Sequence, residues 1–295
     1  MDVRASSTAF DTVLFVLLVG IAVGTLAGVG DRRAPDGNRV AEETGDLLAT
    51  TTAEVTYTRS ARVPSSALLD GDDTVTVTVT RAASGTRAEL LAAAAVADPS
   101  LGGASLTGTG ENLRAGSRSA TRRVLHTREA NAQVAVTWRP YPNATLRSSF
   151  TVGDAPPRDA DVSVATVAAA SGMANVSAAA RRAARTNGFG GVANVLADVV
   201  VADLFPPSET RDALYSEGPD RALVAHRYRR AATVLGVDTP APFTPETVAR
   251  ANRRLSESLA ERLARDLNRR YDSPTEAASA VRAHRVRVVV RTWSE

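Results

Sequence analysis

Three histidines, His126, His226 and His284, are the residues best suited to chemistry near neutral pH, because an imidazole can ligate a metal or move a proton. A metal site needs ligands clustered at helical or turn spacing, and none of the three has a second His or a carboxylate four positions on. Arg230 stands at that place after His226, where a cation opposes a metal. Each histidine has arginine beside it or nearby, so all three read as surface or capping residues. The chain has no cysteine, which excludes disulfides, thiolate nucleophiles and thiol ligands for zinc.

Nucleophile and phosphate signatures are also missing. Ser171-Gly172 lacks the flanks of a nucleophile elbow, and no Gly-x-Ser-x-Gly, phosphate loop or dinucleotide fingerprint occurs. Gly188, Gly190 and Gly191, with Phe189 between them, form a glycine-rich start to a helix. They could seat an anion at its N-terminus, or be a turn that lets helices pack closely. Asn143-Ala144-Thr145 and Asn175-Val176-Ser177 are glycosylation sequons, which permit an external location. No catalytic residue, metal or cofactor is predicted.

The elements that would place these residues begin with a membrane segment. Val13 to Val29 contains no charge and no proline, and as a helix it reaches about 26 Å at roughly 1.5 Å per residue, near the lower limit for a bilayer span. Residues 1–12 read as a leader-like segment, 13–29 as a transmembrane helix and 30–38 as a flexible neck. Asp11, at the membrane edge, could pair with Arg4, with the N-terminal amine or with a neighbouring subunit's amine; the alternative is a hydrated interfacial acid. The start is weakly basic and the apolar run is longer than a usual signal core, so retention is expected. Ala27-Gly28-Val29-Gly30 leaves cleavage and secretion as an alternative. A count of Arg32, Arg33 and Arg39 against Arg4 alone favours a cytoplasmic body.

Arg4-Ala5-Ser6-Ser7-Thr8, leading into the apolar run, resembles the start of archaeal type IV pilins and pilin-like proteins. That resemblance implies cutting between Ala5 and Ser6 by a prepilin-type peptidase, a helix retained as anchor and packing element, and a body outside the cell. Trp138-Arg139-Pro140-Tyr141-Pro142, His226 to Ala231 and Val288 to Trp293 are similar to stretches of a haloarchaeal membrane-protein family associated with pilus or secretion-type systems. That family has no established activity to carry over.

Every basic residue is arginine, and the formal charge is +3. The arginines interleave with acids along predicted helices, the pattern of a solvated, salt-bridged surface, so nucleic acid is not an expected partner. The period-two patterns predict strands at 53–59, 74–80, 131–138, 145–152 and 161–167, and a closing strand at 285–293, beside the 131–138 strand. Helices are expected at 41–48, 86–98, 175–186, 190–204, 208–216, 219–235 and 245–271, and an exposed mobile loop at 101–119. Residues 39–295 should therefore form an extracytoplasmic α+β domain with a mixed or antiparallel sheet: β-rich over 50–170, helical over 173–281, then the closing strand.

The expected function is that of a membrane-anchored, pilin-like or secretion-system-associated structural protein of the cell envelope, without catalysis. It would be single-pass, with the lipid bilayer and pilus or secretion-apparatus subunits as partners. A membrane-tethered ligand-binding or sensor module is the alternative, and a secreted protein the second.

Overall fold

Local side-chain chemistry starts the first helix earlier than expected. In a computed structural model, which describes residues 36–64, 74–126, 131–238, 240 and 243–294, helix α1 runs Asp36–Thr50. Its first turns are held by Asn38 donating to Glu42 at 3.0 Å and by the Arg39–Glu43 pair at 3.3 Å, so residues 36–38 of the expected neck are helical. The expected leader and anchor lie outside the described residues.

Strands β1 (Thr52–Pro64) and β2 (Thr74–Thr86) form a two-stranded antiparallel sheet, paired from Thr52↔Thr86 to Pro64↔Thr74. Both outrun the expected 53–59 and 74–80. Thr86 then caps α2 (Arg87–Val96): its hydroxyl accepts from Glu89 N–H at 3.2 Å while the Glu89 carboxylate accepts from Thr86 N–H at 2.8 Å. This helix is buried nearly all round, with Leu91, Ala92, Ala94 and Ala95 fully inside.

The expected loop at 101–119 is ordered. It contains β3 (Ser100–Leu101), β4 (Ala104–Ser105) and most of α3 (Glu111–Leu125). The Asp98 carboxylate folds the turn by accepting from Ser105 Oγ at 2.6 Å, Thr107 N–H at 2.8 Å and Gly108 N–H at 3.1 Å. The buried face of α3 is Leu113, Ser117, Ala120, Thr121 and Leu125, helically spaced but partly polar. Gly116 lets α3 approach β1, since a Cβ there would stand 2.4 Å from Val55 Cγ1.

Strands β5 (Asn131–Trp138), β6 (Leu146–Val152), β7 (Val162–Ala170) and β8 (Arg285–Trp293) complete a six-stranded sheet of order β4-β3-β6-β5-β8-β7. Every pairing is antiparallel. The closing strand lies between β5 and β7, with Asn131↔Trp293 and Trp138↔Val286 in register. Val134, Val136, Trp138, Val286, Val288 and Val290 are fully buried on one face, each aliphatic side chain contributing about 1.5–3 kcal/mol. Helices α1 and α2 pack against these strands.

The second half is helical: α4 (Ser177–Leu204), α5 (Pro207–Tyr215), α6 (Pro219–Leu235), α7 (Val248–Arg270) and the short α8 (Pro274–Ser279). The two helices expected at 175–186 and 190–204 are the arms of α4, kinked at Gly188 (φ 59, ψ −146). Leu255, Leu259, Leu263 and Leu267 of α7 are buried, and α7 packs against α4. The far end of the β1–β2 hairpin rests on α6, where Val63, Val77 and Val79 meet Ala222 and Leu223. The protein is thus α+β, with a helical second half and two antiparallel sheets. Among the described residues, the stretch 177–215 is long and apolar enough to cross a bilayer. Half of its apolar window is buried in the body, as a core helix requires.

Candidate functional site

Two prolines end β5 and bring its outgoing chain to one end of the six-stranded sheet. Pro140 and Pro142 cannot donate to a ladder, so the chain turns through Arg139–Asn143, with Asn143 in the left-handed region (φ 57). Two hydrogen bonds join the end of β5 and this turn to the approach to β8, Trp138 Nε1 to the Ala283 carbonyl at 2.8 Å and Arg282 N–H to the Pro140 carbonyl at 2.8 Å, and Ser171 Oγ, just after β7, donates to the same Ala283 carbonyl at 2.9 Å. Ser171 is therefore a buried structural hydroxyl, which also accepts from Met173 N–H.

Beneath the turn lies a buried carboxylate. Asp266 of α7, 1% exposed, accepts from Tyr141 Oη at 2.8 Å, Thr145 N–H at 3.1 Å and Arg270 Nε at 3.1 Å. Burial alone would raise its pKa, but those donors outweigh it and hold the carboxyl below its usual range. Burial and the bond to Asp266 push the Tyr141 phenol well up, so it remains a donor.

Above this floor is a cavity of about 800 Å³ lined by Arg139, Arg181, Arg282, Arg285, Arg287 and His284 and, among the described residues, by no acidic one. Among the described residues, none of these five arginines lies within ion-pair distance of a carboxylate. Their recorded bonds go to neutral acceptors: Arg139 to Asn143 Oδ1 at 3.2 Å, Arg282 to the Ala280 carbonyl at 3.4 Å, Arg285 to His284 Nε2 at 3.1 Å. Arg139 Nε and His284 Nδ1 are buried with no partner among the described residues. Burial first, then Arg285, lowers the His284 pKa and favours the neutral imidazole. The basin is suited to holding anions.

The charge continues along the sheet. Strands β5 to β8 contain no Asp or Glu, and on the face opposite the valine core β8 presents Arg285, Arg287 and Arg291, all exposed. Across from them stand Ala170, Ala168 and Val164 of β7, and Thr137 and Gln133 of β5. Here the arginines are segregated from acids, unlike the interleaved charge expected along the helices.

The sequence-derived candidates are dispersed, with one convergence. His126 is exposed after α3, and His226 is half-buried on α6, its pKa lowered by burial and by Arg229 and Arg230. Among the described residues, no group of three or more Asp, Glu or His could hold a metal ion. Gly188 makes the kink. Gly191 supports the packing reading, because a Cβ there would meet the Ala183 carbonyl at 2.5 Å. Asn143 and Asn175, the sequon asparagines, both line the basin and are exposed. Arg4, Ala5, Ser6 and Asp11 lie outside the described residues.

The convergence of the basin arginines escaped the sequence reading, as did the buried role of Asp266, whose spacing to Arg270 marks only a helix-surface pair. A usable signal was present: Arg282, Arg285, Arg287 and Arg291 occur with no acid between them. The stretches carrying the haloarchaeal resemblance have packing roles. Besides Trp138 and Tyr141, Tyr228 is buried between Phe205 and Phe243, with ring centroids 4.4 and 4.6 Å away, and donates to Asn252 at 2.6 Å.

The model of a family of unknown function (DUF7284) matches residues 10–293. No curated protein and no solved structure matches the chain.

Proposed function

We propose, for a chain that belongs to the DUF7284 family, a membrane-anchored, pilin-like or secretion-system-associated structural protein of the cell envelope, acting by docking rather than by catalysis. One observation carries this reading: the family match starts at residue 10, ahead of the apolar run Val13–Val29, and continues through the body to residue 293. The run thus belongs to the same family unit as the α+β body, as expected of a retained anchor. In this account residues 13–29 span the bilayer, the N-terminus is cut between Ala5 and Ser6, Arg4 and Asp11 flank the helix, and the body lies outside. The acid-free basin gives the body a docking surface for an anionic partner.

Mass spectrometry of the mature N-terminus, with protease treatment of intact cells, tests this. A chain starting at Ser6 with a protease-accessible body supports it. A start after Gly30 makes the protein secreted, and a protected body places it on the cytoplasmic side.

A second reading, a tethered ligand-binding module, is favoured by the cavity itself. Its volume of about 800 Å³ lies within the range of roughly 300–1,000 Å³ that small-molecule sites occupy.

A further inference from the structure

We infer that the basin and the arginine row of β8 together bind a linear anionic glycan, one bearing sulfate, phosphate or carboxylate groups along its length. This rests on the docking role proposed for the basin and names the partner's chemistry.

Five arginines from three parts of the chain converge on one cavity that, among the described residues, no carboxylate lines. A guanidinium presents a planar fork of donors that matches an oxyanion bidentately, and it is only weakly hydrated. With no carboxylate among the described residues at ion-pair distance, these forks are available to a ligand.

Arg285 and Arg287 face the same side of β8 about 7 Å apart, and Arg291 follows about 20 Å from Arg285, at roughly 3.3 Å per residue. The neighbouring positions on β7 and β5, Ala170, Ala168 and Thr137, are small. A row of cations leaving a cavity along a shallow strip suits a chain with repeated negative groups better than a single small ion.

The surroundings of the arginine row suit a glycan better than a nucleic acid. Sequence-tolerant binding of single strands depends on aromatic rings that stack bases. Beside the arginine row stand Ala, Thr and Val with a buried Gln133, and the two aromatic residues near it, Trp293 on the same face of β8 and Tyr141 in the cavity, are both buried, so neither presents an open ring for a base. The basin instead offers carboxamides: among the described residues the Nδ2 groups of Asn143 and Asn175 make no hydrogen bond, while their Oδ1 atoms accept from Arg139 and Ser177. Amide donors beside guanidinium groups suit sugar hydroxyls next to acidic substituents.

The test uses the full chain in detergent micelles, titrated with dextran sulfate, uncharged dextran and single-stranded poly(dT). Dextran sulfate should bind saturably, dextran should not bind, and poly(dT) should bind at least about tenfold more weakly. R285A/R287A, at two exposed positions, should weaken dextran sulfate binding at least about tenfold with an unchanged melting temperature. R122A/R123A, which removes two exposed arginines of α3, should leave binding unaltered. Unchanged dextran sulfate binding by R285A/R287A overturns the site. Poly(dT) binding as tightly as dextran sulfate reassigns it to nucleic acid and overturns the glycan. Because only binding is read, failure here is distinct from failure of the membrane anchor.

Discussion

Tyr141 and Asp266 stand 125 positions apart in the chain and meet inside the body, the phenol donating to Oδ2 at 2.8 Å with both side chains buried. This contact fixes the floor of the basin to α7. Asp266 also receives Thr145 N–H and Arg270, so one carboxylate anchors a turn and a helix end. Removing it leaves several buried donors unpaired. Asp266→Ala should therefore cost about 3–5 kcal/mol of folding stability, and Tyr141→Phe about 1–2 kcal/mol, as measured by urea denaturation.

The same carboxylate sets an acid limit. Its folded pKa lies below the ordinary 3.8, so its stabilisation is complete above about pH 4 and is lost as pH falls through the folded value. Melting temperatures recorded from pH 5 to pH 2 should fall more steeply for the natural chain than for Asp266→Asn, which starts lower and lacks this contribution. Parallel curves would contradict the assignment.

Asp203 of α4 behaves in the opposite way. Burial first, then Glu209, pushes its pKa up to about 6, only partly offset by Arg227. Between pH 3.8 and 6 the unfolded chain releases this proton before the folded one does, so stability falls as pH rises across that window. Asp203→Asn should abolish the fall and make the protein more stable at pH 7, by roughly 2 kcal/mol at most. Denaturation midpoints at pH 4, 5, 6 and 7 would show it.

The kink in α4 gives a paired test. Gly188 has φ 59, a conformation costly for any residue with a Cβ, whereas Gly190 sits within the helix with open space around it. Gly188→Ala should destabilise by about 1–2 kcal/mol, while Gly190→Ala should be neutral or stabilising by up to about 1 kcal/mol. Equal effects would mean that the kink does not depend on glycine.

The closing strand was legible because Val286, Val288 and Val290 alternate with arginine or Val289, and β-branched alternation has few other uses. Its place beside β5 followed from the matching patterns. Helix α3 was not legible: its buried positions include the polar Ser117 and Thr121, and the bond from Ser117 to the Leu90 carbonyl at 3.2 Å and the close approach at Gly116 are tertiary contacts that no local pattern announces. Composition pointed to a loop, and tertiary packing made a helix. The basin was hidden for a related reason. Arg139, Arg181 and Arg285 come from a turn, a helix and a strand, and no local pattern joins residues that only the antiparallel topology brings together.

The most direct measurement for the account is fractionation of the full chain from its native cells, with alkaline carbonate washing of the membranes. If residues 13–29 hold the body in lipid, the polypeptide carrying that segment stays with the washed membranes and detergent releases it. If the intact polypeptide, apolar segment included, is recovered in the aqueous fraction, the anchor does not exist and the envelope role falls with it.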